Sequence, residues 1–215
     1  MSYESEYSEA LQRIYAANAG ISSLRYFLDT AASWHASFAW DPQDAPHSDQ
    51  PRPLVVVLGY GIPDQLIYAC GTTPCTLLGG SHASCQWSDD AVPRDSDPVS
   101  RSILGYALRL AARADIDPLF VVPAANDNMR KIAYFLKREG HAVLSVDIPP
   151  VATSPTAQQA WEHSTEELIQ AVAHHVGGRV TARSLREANR LVGMARAATL
   201  AFEQSCTECP GVLDS

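Results

Sequence analysis

Short apolar runs alternate with helical stretches along most of this chain. The run Leu54–Leu58 is wholly apolar and rich in valine, which predicts a parallel strand buried on both faces. Two glycines follow it, Pro63 suits the first turn of a helix, and Gly71 suits the end of that helix. The pattern therefore predicts a strand, a tight turn and a helix, with a second strand directly after them.

The same alternation continues toward the C-terminus. It predicts a helix over Pro98–Ala114, a strand over Leu119–Val122, and a helix that is capped by Asn126 or Asp127 and ended by Gly140. A strand over His141–Val146 and a helix over Thr156–Val176 follow. The last predicted helix starts after Thr181, and its apolar stripe consists of Leu185, Ala188, Leu191, Val192 and Ala195. An apolar stripe at helical spacing also runs from Leu11 to Leu28. These elements predict an α/β fold, a three-layer open sheet of about four parallel strands with an N-terminal helix and two long C-terminal helices.

Composition and charge exclude several classes of protein. Of 215 residues, 46% are hydrophobic and 19% are charged, which is typical of a globular protein. The net charge of −8 argues against nucleic acid or an anionic membrane as the partner, because both attract basic surfaces. The acidic N-terminus lacks the apolar core of a signal peptide, and no apolar run reaches the length of a membrane span. Five cysteines without an export signal indicate reduced thiols, so we expect a cytoplasmic protein.

Five stretches of the sequence carry a resemblance to a known family. They are Gly59-Tyr-Gly-Ile-Pro-Asp-Gln-Leu-Ile-Tyr-Ala-Cys-Gly-Thr-Thr-Pro, Asp97-Pro-Val-Ser-Arg-Ser-Ile-Leu-Gly, Val122-Pro-Ala-Ala-Asn-Asp-Asn-Met-Arg-Lys, Val146-Asp-Ile-Pro and Thr181-Ala-Arg-Ser-Leu-Arg-Glu-Ala-Asn-Arg. In this order they resemble the 2-hydroxyacyl-CoA dehydratase and benzoyl-CoA reductase family over roughly Val55–Ala195. One departure is Gln65, which stands where the family has a second acidic residue.

The resemblance implies a Rossmann- or flavodoxin-like fold and a division of the chain. Residues 1–53 would form an N-terminal helix and a connection, residues 54–205 an α/β domain similar to the first domain of a dehydratase subunit, and residues 206–215 a tail. Relatives carry a second α/β domain after this point. Long apolar helix faces, Leu11–Leu28 and Trp161–Val172, beside a sheet of four strands predict surfaces that another chain would cover.

The resemblance also implies a cofactor. Relatives hold a [4Fe-4S] cluster on cysteines and pass one electron into a CoA thioester. At the corresponding positions this chain has Tyr60, Asp97 and Asn126. Sulfide-bridged iron favours soft thiolate ligands, and an asparagine amide is a poor substitute. We therefore expect no cluster in this chain alone.

Other residues are candidates for binding a ligand or a metal. Turns at strand ends in α/β proteins bind ligands, and the candidate ligand-binding residues in or beside such turns are Gly59, Gly61, Asp64, Arg101, Ser102 and Asp127. A basic excess between Arg101 and Arg138 would suit the phosphates of a CoA thioester or an acidic partner, or would simply face water. Cys206 and Cys209 have the spacing of metal ligands, although such a pair needs two more.

Three functions stay open at this point. The chain would be a cluster-free dehydratase-like partner or assembly subunit, a homodimer or a heteromer with a cysteine-complete homologous subunit. Alternatively, it would be an enzyme subunit, a lyase or oxidoreductase, that dehydrates or reduces CoA thioesters with electrons from a partner's cluster. The third function is a small-molecule-binding module.

Overall fold

The computed structural model describes residues 9–10, 12–14, 16–17, 29, 50–80, 82–149, 151 and 153–208. Its elements are β1 (Arg52–Leu58), α1 (Asp64–Ala69), β2 (Cys75–Leu77), α2 (His82–Cys85), α3 (Pro98–Ala111), β3 (Ile116–Pro123), α4 (Asp127–Arg138), β4 (Ala142–Val146), α5 (Pro155–Val176) and α6 (Ala182–Glu208). Residues 9–10, 12–14 and 16–17 are helical, as predicted for the start of the N-terminal helix. Asp29 is also helical, and the remaining residues of that predicted helix lie outside the described residues.

The four strands form one parallel sheet with the order β2-β1-β3-β4. A row of paired residues crosses the whole sheet, from Cys75 through Val56 and Phe120 to Val143. The chain leaves β1 toward β2 on one side and then returns to β3 on the other side of β1. The order therefore reverses between β1 and β3, which is where ligands bind in open α/β sheets. The predicted α/β class and the parallel four-stranded sheet are confirmed.

Helices cover both faces of the sheet. Side chains alternate along each strand, so Val56, Leu58 and Phe120 pack against α3 and α4 on one face. Val55, Val57 and Val121 pack against α1 and α5 on the other face. Because both faces are buried, the strands are apolar runs without a polar alternation.

The apolar face of α5 is covered within the chain. Leu168 and Val172 are fully buried, and Trp161 packs against the same cluster under the sheet. The expectation that another chain covers the face Trp161–Val172 is wrong, because the sheet of the same chain covers it. The other face named in that expectation, Leu11–Leu28, lies mostly outside the described residues.

Strand β3 is longer than the sequence predicts, and helix α6 buries less of its apolar stripe. Strand β3 begins at Ile116 and includes Pro118, which pairs with Leu54 of β1. Pairing with β4 starts only at Leu119, so the missing N–H of Pro118 leaves no gap in the sheet. Helix α6 extends to Glu208 and buries Ala188, whereas Leu191 and Ala195 of the predicted stripe are exposed. Within the described residues, no helix has both the length and the apolarity that a membrane span requires.

Candidate functional site

The turns at the carboxyl ends of β1 and β3 form the candidate site. Residues 59–63 follow β1 and lead into α1, and residues 124–126 follow β3 and lead into α4. Since β1 and β3 are neighbours at the point where the strand order reverses, these two turns lie next to each other at one edge of the sheet. This region is called the carboxyl edge below.

Two glycines shape the turn after β1. Gly59 and Gly61 have φ angles of 94° and 102°, a region that favours glycine. The backbone N–H of Gly59 donates to the carbonyl of Leu77 at 2.8 Å and so extends the sheet. A Cβ atom on Gly61 would lie 2.8 Å from Cδ1 of Ile148, in the segment after β4. Sequence reasoning did not propose Ile148 as a site residue, although the motif Val146-Asp-Ile-Pro contains it.

Tyr60 stands between these glycines and is 75% exposed. The side chain is among the most exposed large apolar ones in the described part of the chain. A tyrosine in this position presents an aromatic ring and a hydroxyl at the carboxyl edge, a combination common in binding interfaces.

Asp97 and Asn126 are helix N-caps. A carboxylate oxygen of Asp97 accepts hydrogen bonds from the backbone N–H of Ser100 at 2.8 Å and from its hydroxyl at 2.6 Å, at the start of α3. The amide oxygen of Asn126 accepts from the backbone N–H of Met129 at 3.0 Å, at the start of α4. Both residue types are preferred at this position because a short side-chain oxygen satisfies an N–H of the first turn.

Arg101 and Ser102 are engaged inside the protein. The Arg101 guanidinium forms an ion pair with Asp89 and donates to the carbonyl of Arg94 at 2.9 Å, so it fastens the segment before α3 to that helix. The hydroxyl of Ser102 is buried and lies 2.6 Å from that of Ser84 in α2. These contacts occupy both side chains, so a ligand at the carboxyl edge would have to break them in order to bind Arg101 or Ser102.

The two candidate aspartates lie in the first turns of α1 and α4. Asp64 is half-buried, and burial raises the pKa of its carboxyl group above the ordinary value. Asp127 is exposed and lies 3.4 Å from the guanidinium of Arg130, one turn along the helix. A negative charge in a first turn stabilises the helix dipole, which accounts for both residues without a ligand.

The comparison with protein families decides the ancestry of the chain. Residues 60–214 match the family described as 2-hydroxyglutaryl-CoA dehydratase, D-component. The match covers well over half of the sequence. The chain belongs to this family. A search of curated proteins finds no match. The resemblance read from the five stretches of sequence is thereby confirmed.

The side chains present at the three implied ligand positions do not fit the [4Fe-4S] cluster of the dehydratase family. Asp97 and Asn126 use their oxygens as caps, and Tyr60 offers a phenol. An iron–sulfur cluster needs soft thiolate ligands, whereas these groups are hard oxygen donors. Within the described residues there is also no group of three or more His, Cys, Asp or Glu side chains arranged to hold a metal ion.

The described cysteines of this dehydratase relative are packed in the interior. Cys70, Cys75 and Cys85 are buried thiols. Burial raises the pKa of the Cys70 thiol, and it raises the pKa of Cys75 to about 11. The thiol of Cys85 lies 3.4 Å from the carbonyl of Pro98. Cys209 and the side chain of Cys206, the candidate metal ligands, lie outside the described residues.

The basic residues between Arg101 and Arg138 divide into two groups. On or near α3, Arg109 lies over the ring of Trp87 at 4.6 Å, and Arg113 forms an ion pair with Asp115 that lowers the pKa of that carboxyl group. The second group lies exposed on α4 and consists of Arg130, Lys131, Lys137 and Arg138. The sequence count therefore overstates the charge available to a ligand, because the arginines of α3 hold the fold together.

We expect the Asp97 cap, unlike the Asn126 cap, to stabilise the protein less at low pH than near pH 7. The hydroxyl and backbone N–H of Ser100 hold the pKa of Asp97 below its ordinary value. Its stabilising effect is therefore complete above the ordinary aspartate pKa and is lost as the pH falls through the lower, folded value. We expect Asp97→Ala to lower the free energy of unfolding by about 1 kcal/mol near pH 7 and by less in acid. Urea unfolding at both pH values measures this change.

Asn126→Ala is the matched control, because the Asn126 amide caps α4 in the same way but does not titrate. Its cost should be about 1 kcal/mol at both pH values. An Asp97→Ala cost that stays constant or grows in acid would contradict the assignment of Asp97 as a charged cap.

Proposed function

We propose that this chain is a cluster-free member of the dehydratase D-component family that acts as the partner of a cysteine-complete homologous subunit. The observation that carries the proposal is that Asp97 and Asn126, which stand where the resemblance implies cluster ligands, serve as helix caps. Replacement of a cysteine ligand by a capping side chain removes the iron–sulfur cluster that carries the electron, and at the same time it stabilises the start of α3 or α4. The scaffold is kept while its redox group is given up.

The remaining thiols support the same proposal. A thiolate is the form that binds iron, and the raised pKa of Cys70 and Cys75 keeps both thiols protonated. Buried cysteines in the thiol form also fit a reducing compartment, which is the basis for placing the proposed complex in the cytoplasm.

The surface that we propose for the partner is the carboxyl edge. It presents Tyr60, with 75% of its surface exposed, beside the turn that contains Gly59 and Gly61. A homologous subunit placed there would bring its own cluster next to any thioester held at this edge. The chain would then supply one wall of the binding site and the partner the electrons.

Co-expression with a cysteine-complete homologue of the family tests this proposal. We expect the two chains to purify together in equal amounts, with the iron in the homologue. Tyr60→Asp should weaken the complex at least tenfold, since it places a charge in the centre of the contact. Tyr134→Asp is the matched control, because Tyr134 is 68% exposed on α4, about two turns along that helix from the carboxyl edge. Absence of a complex, or equal weakening by both variants, would refute the proposal.

A small-molecule-binding module is the second candidate. The position of two glycine-containing turns at the reversal of strand order favours it, because such crevices bind ligands in many α/β proteins. Titration calorimetry of the isolated chain with CoA separates the two functions. Heat of binding from the isolated chain that Gly61→Val abolishes would favour the module, and no heat would favour the partner role.

A further inference from the structure

Helix α6 has a docked half and an exposed half. In the first half, Ser184, Leu185, Ala188 and Val192 are buried or half-buried and the helix packs on α1. From Gly193 to Glu208, every described side chain is exposed. About 16 residues of helix, or roughly 24 Å at 1.5 Å per residue, therefore have no cover from the described part of the chain.

An apolar stripe runs from the end of the docked half into the exposed half. Leu191, Ala195, Ala198 and Phe202 are spaced by four, three and four residues, so they lie on one face of the helix. Leu191 is 46% exposed and Phe202 is 58% exposed. The stripe lies beside the docked face of the helix. Ala195 of the stripe is three positions after the half-buried Val192, and residues three positions apart are neighbours on a helix surface. A continuous row of exposed apolar side chains marks an interaction surface more often than an ordinary solvent face.

We propose that this stripe pairs with the same stripe of a second copy of the chain, with the two α6 helices antiparallel. The spacing of the stripe is symmetric about its centre, between Arg196 and Ala197. A two-fold axis at that point places Leu191 beside Phe202 of the second copy and Ala195 beside Ala198 of the second copy. Each large side chain then meets a large one near the ends of the contact, while alanines at the centre let the helices approach closely. Such an isologous contact is the commonest way for identical chains to associate.

The charges on α6 favour the antiparallel direction. The first half carries Arg183, Arg186 and Arg190 against Glu187, and the second half carries Glu203 and Glu208. Antiparallel pairing places the basic half of one copy beside the acidic end of the other. Parallel pairing would place like charges together and would also align the helix dipoles unfavourably. Arg196, close to the two-fold axis, favours neither direction.

A single charge in the stripe tests the pairing. Light scattering of the full chain at about 50 µM should show a dimer, and Ala198→Glu should raise the dissociation constant at least tenfold because it buries a charge at the centre of the contact. Ala197→Glu is the matched control. Both alanines are exposed in the same helix, but Ala197 lies on a different face. The control should remain a dimer with the affinity of the natural chain.

Charge reversal tests the direction of the helices. The double variant Glu203→Arg and Glu208→Arg should weaken an antiparallel dimer at least tenfold, because arginines then lie beside arginines. In a parallel dimer the same change would replace contacts between glutamates with contacts between arginines, so the affinity would not fall. Unchanged affinity of this variant would therefore overturn the antiparallel arrangement.

The other ways to cover the stripe give different results, each of which overturns the proposal. A monomeric natural chain whose melting temperature falls with Ala198→Glu, but not with Ala197→Glu, would show that the chain covers its own stripe. A chain that associates only after co-expression with a homologue would assign the stripe to that subunit. The proposal does not depend on the proposed function, since it is measured on the isolated chain and concerns α6 rather than Tyr60.

Discussion

Gly105→Ala is expected to lower the free energy of unfolding by about 3 kcal/mol, near the upper end of the usual cost of overpacking. Gly105 lies in the middle of α3, and a Cβ atom there would be 2.0 Å from the carbonyl oxygen of Ser84. The obstacle is backbone, so it cannot rotate away. Helix α2 would have to separate from α3, which would break the contact between the hydroxyls of Ser84 and Ser102. Thermal unfolding should show a melting temperature lower by roughly 6 to 12 °C.

Gly193→Ala is the control for this experiment. Gly193 is also a helical glycine, but a Cβ atom there meets no heavy atom within 4 Å. Alanine favours helix over glycine by about 1 kcal/mol, so this variant should be slightly more stable than the natural chain. Stabilisation by Gly105→Ala as well would mean that α2 is not packed against α3 as described.

The close contact at Gly105 matters for the carboxyl edge. Helices α2 and α3 can approach only because Gly105 lacks a side chain, and this approach sets the position of Asp97 at the start of α3. The ion pair between Arg101 and Asp89 holds the intervening segment against the same helix. The start of α3 is therefore fixed by contacts on two sides, without help from a bound ligand.

Most of the fold could be predicted from the sequence because its signals are local. Valine-rich runs are typical of strands in a parallel sheet, and β1 lies where the run Leu54–Leu58 predicted it. The cap at Asn126 and the cap at Thr181, whose hydroxyl accepts from the backbone N–H of Ser184 at 3.0 Å, follow from the preference of these residues for helix starts. Local chemistry of this kind does not depend on the rest of the chain.

The contacts between distant segments could not be predicted in the same way. Arg101 appeared as a candidate for ligand phosphates, yet its partner is Asp89, 12 positions earlier in a segment without a periodic pattern. The closeness of Gly61 to Ile148 depends on how the turns after β1 and β4 meet at the edge of the sheet. The exposure of the second half of α6 could not be predicted for a similar reason, because a helical stripe shows which face is apolar but not what covers that face. The division into residues 1–53, 54–205 and 206–215 stays a prediction.

The iron content of the chain purified without oxygen shows whether this chain holds a cluster. The residues at the positions that the resemblance implies for the family ligands, Tyr60, Asp97 and Asn126, are not thiols, and two of them serve as caps. We expect a colourless protein with far less than one iron per chain. About four irons per chain, with acid-labile sulfide and broad absorption in the visible range, would contradict it. Loss of that signal on changing Cys206 and Cys209 to serine would then place the cluster at the C-terminal end of the chain.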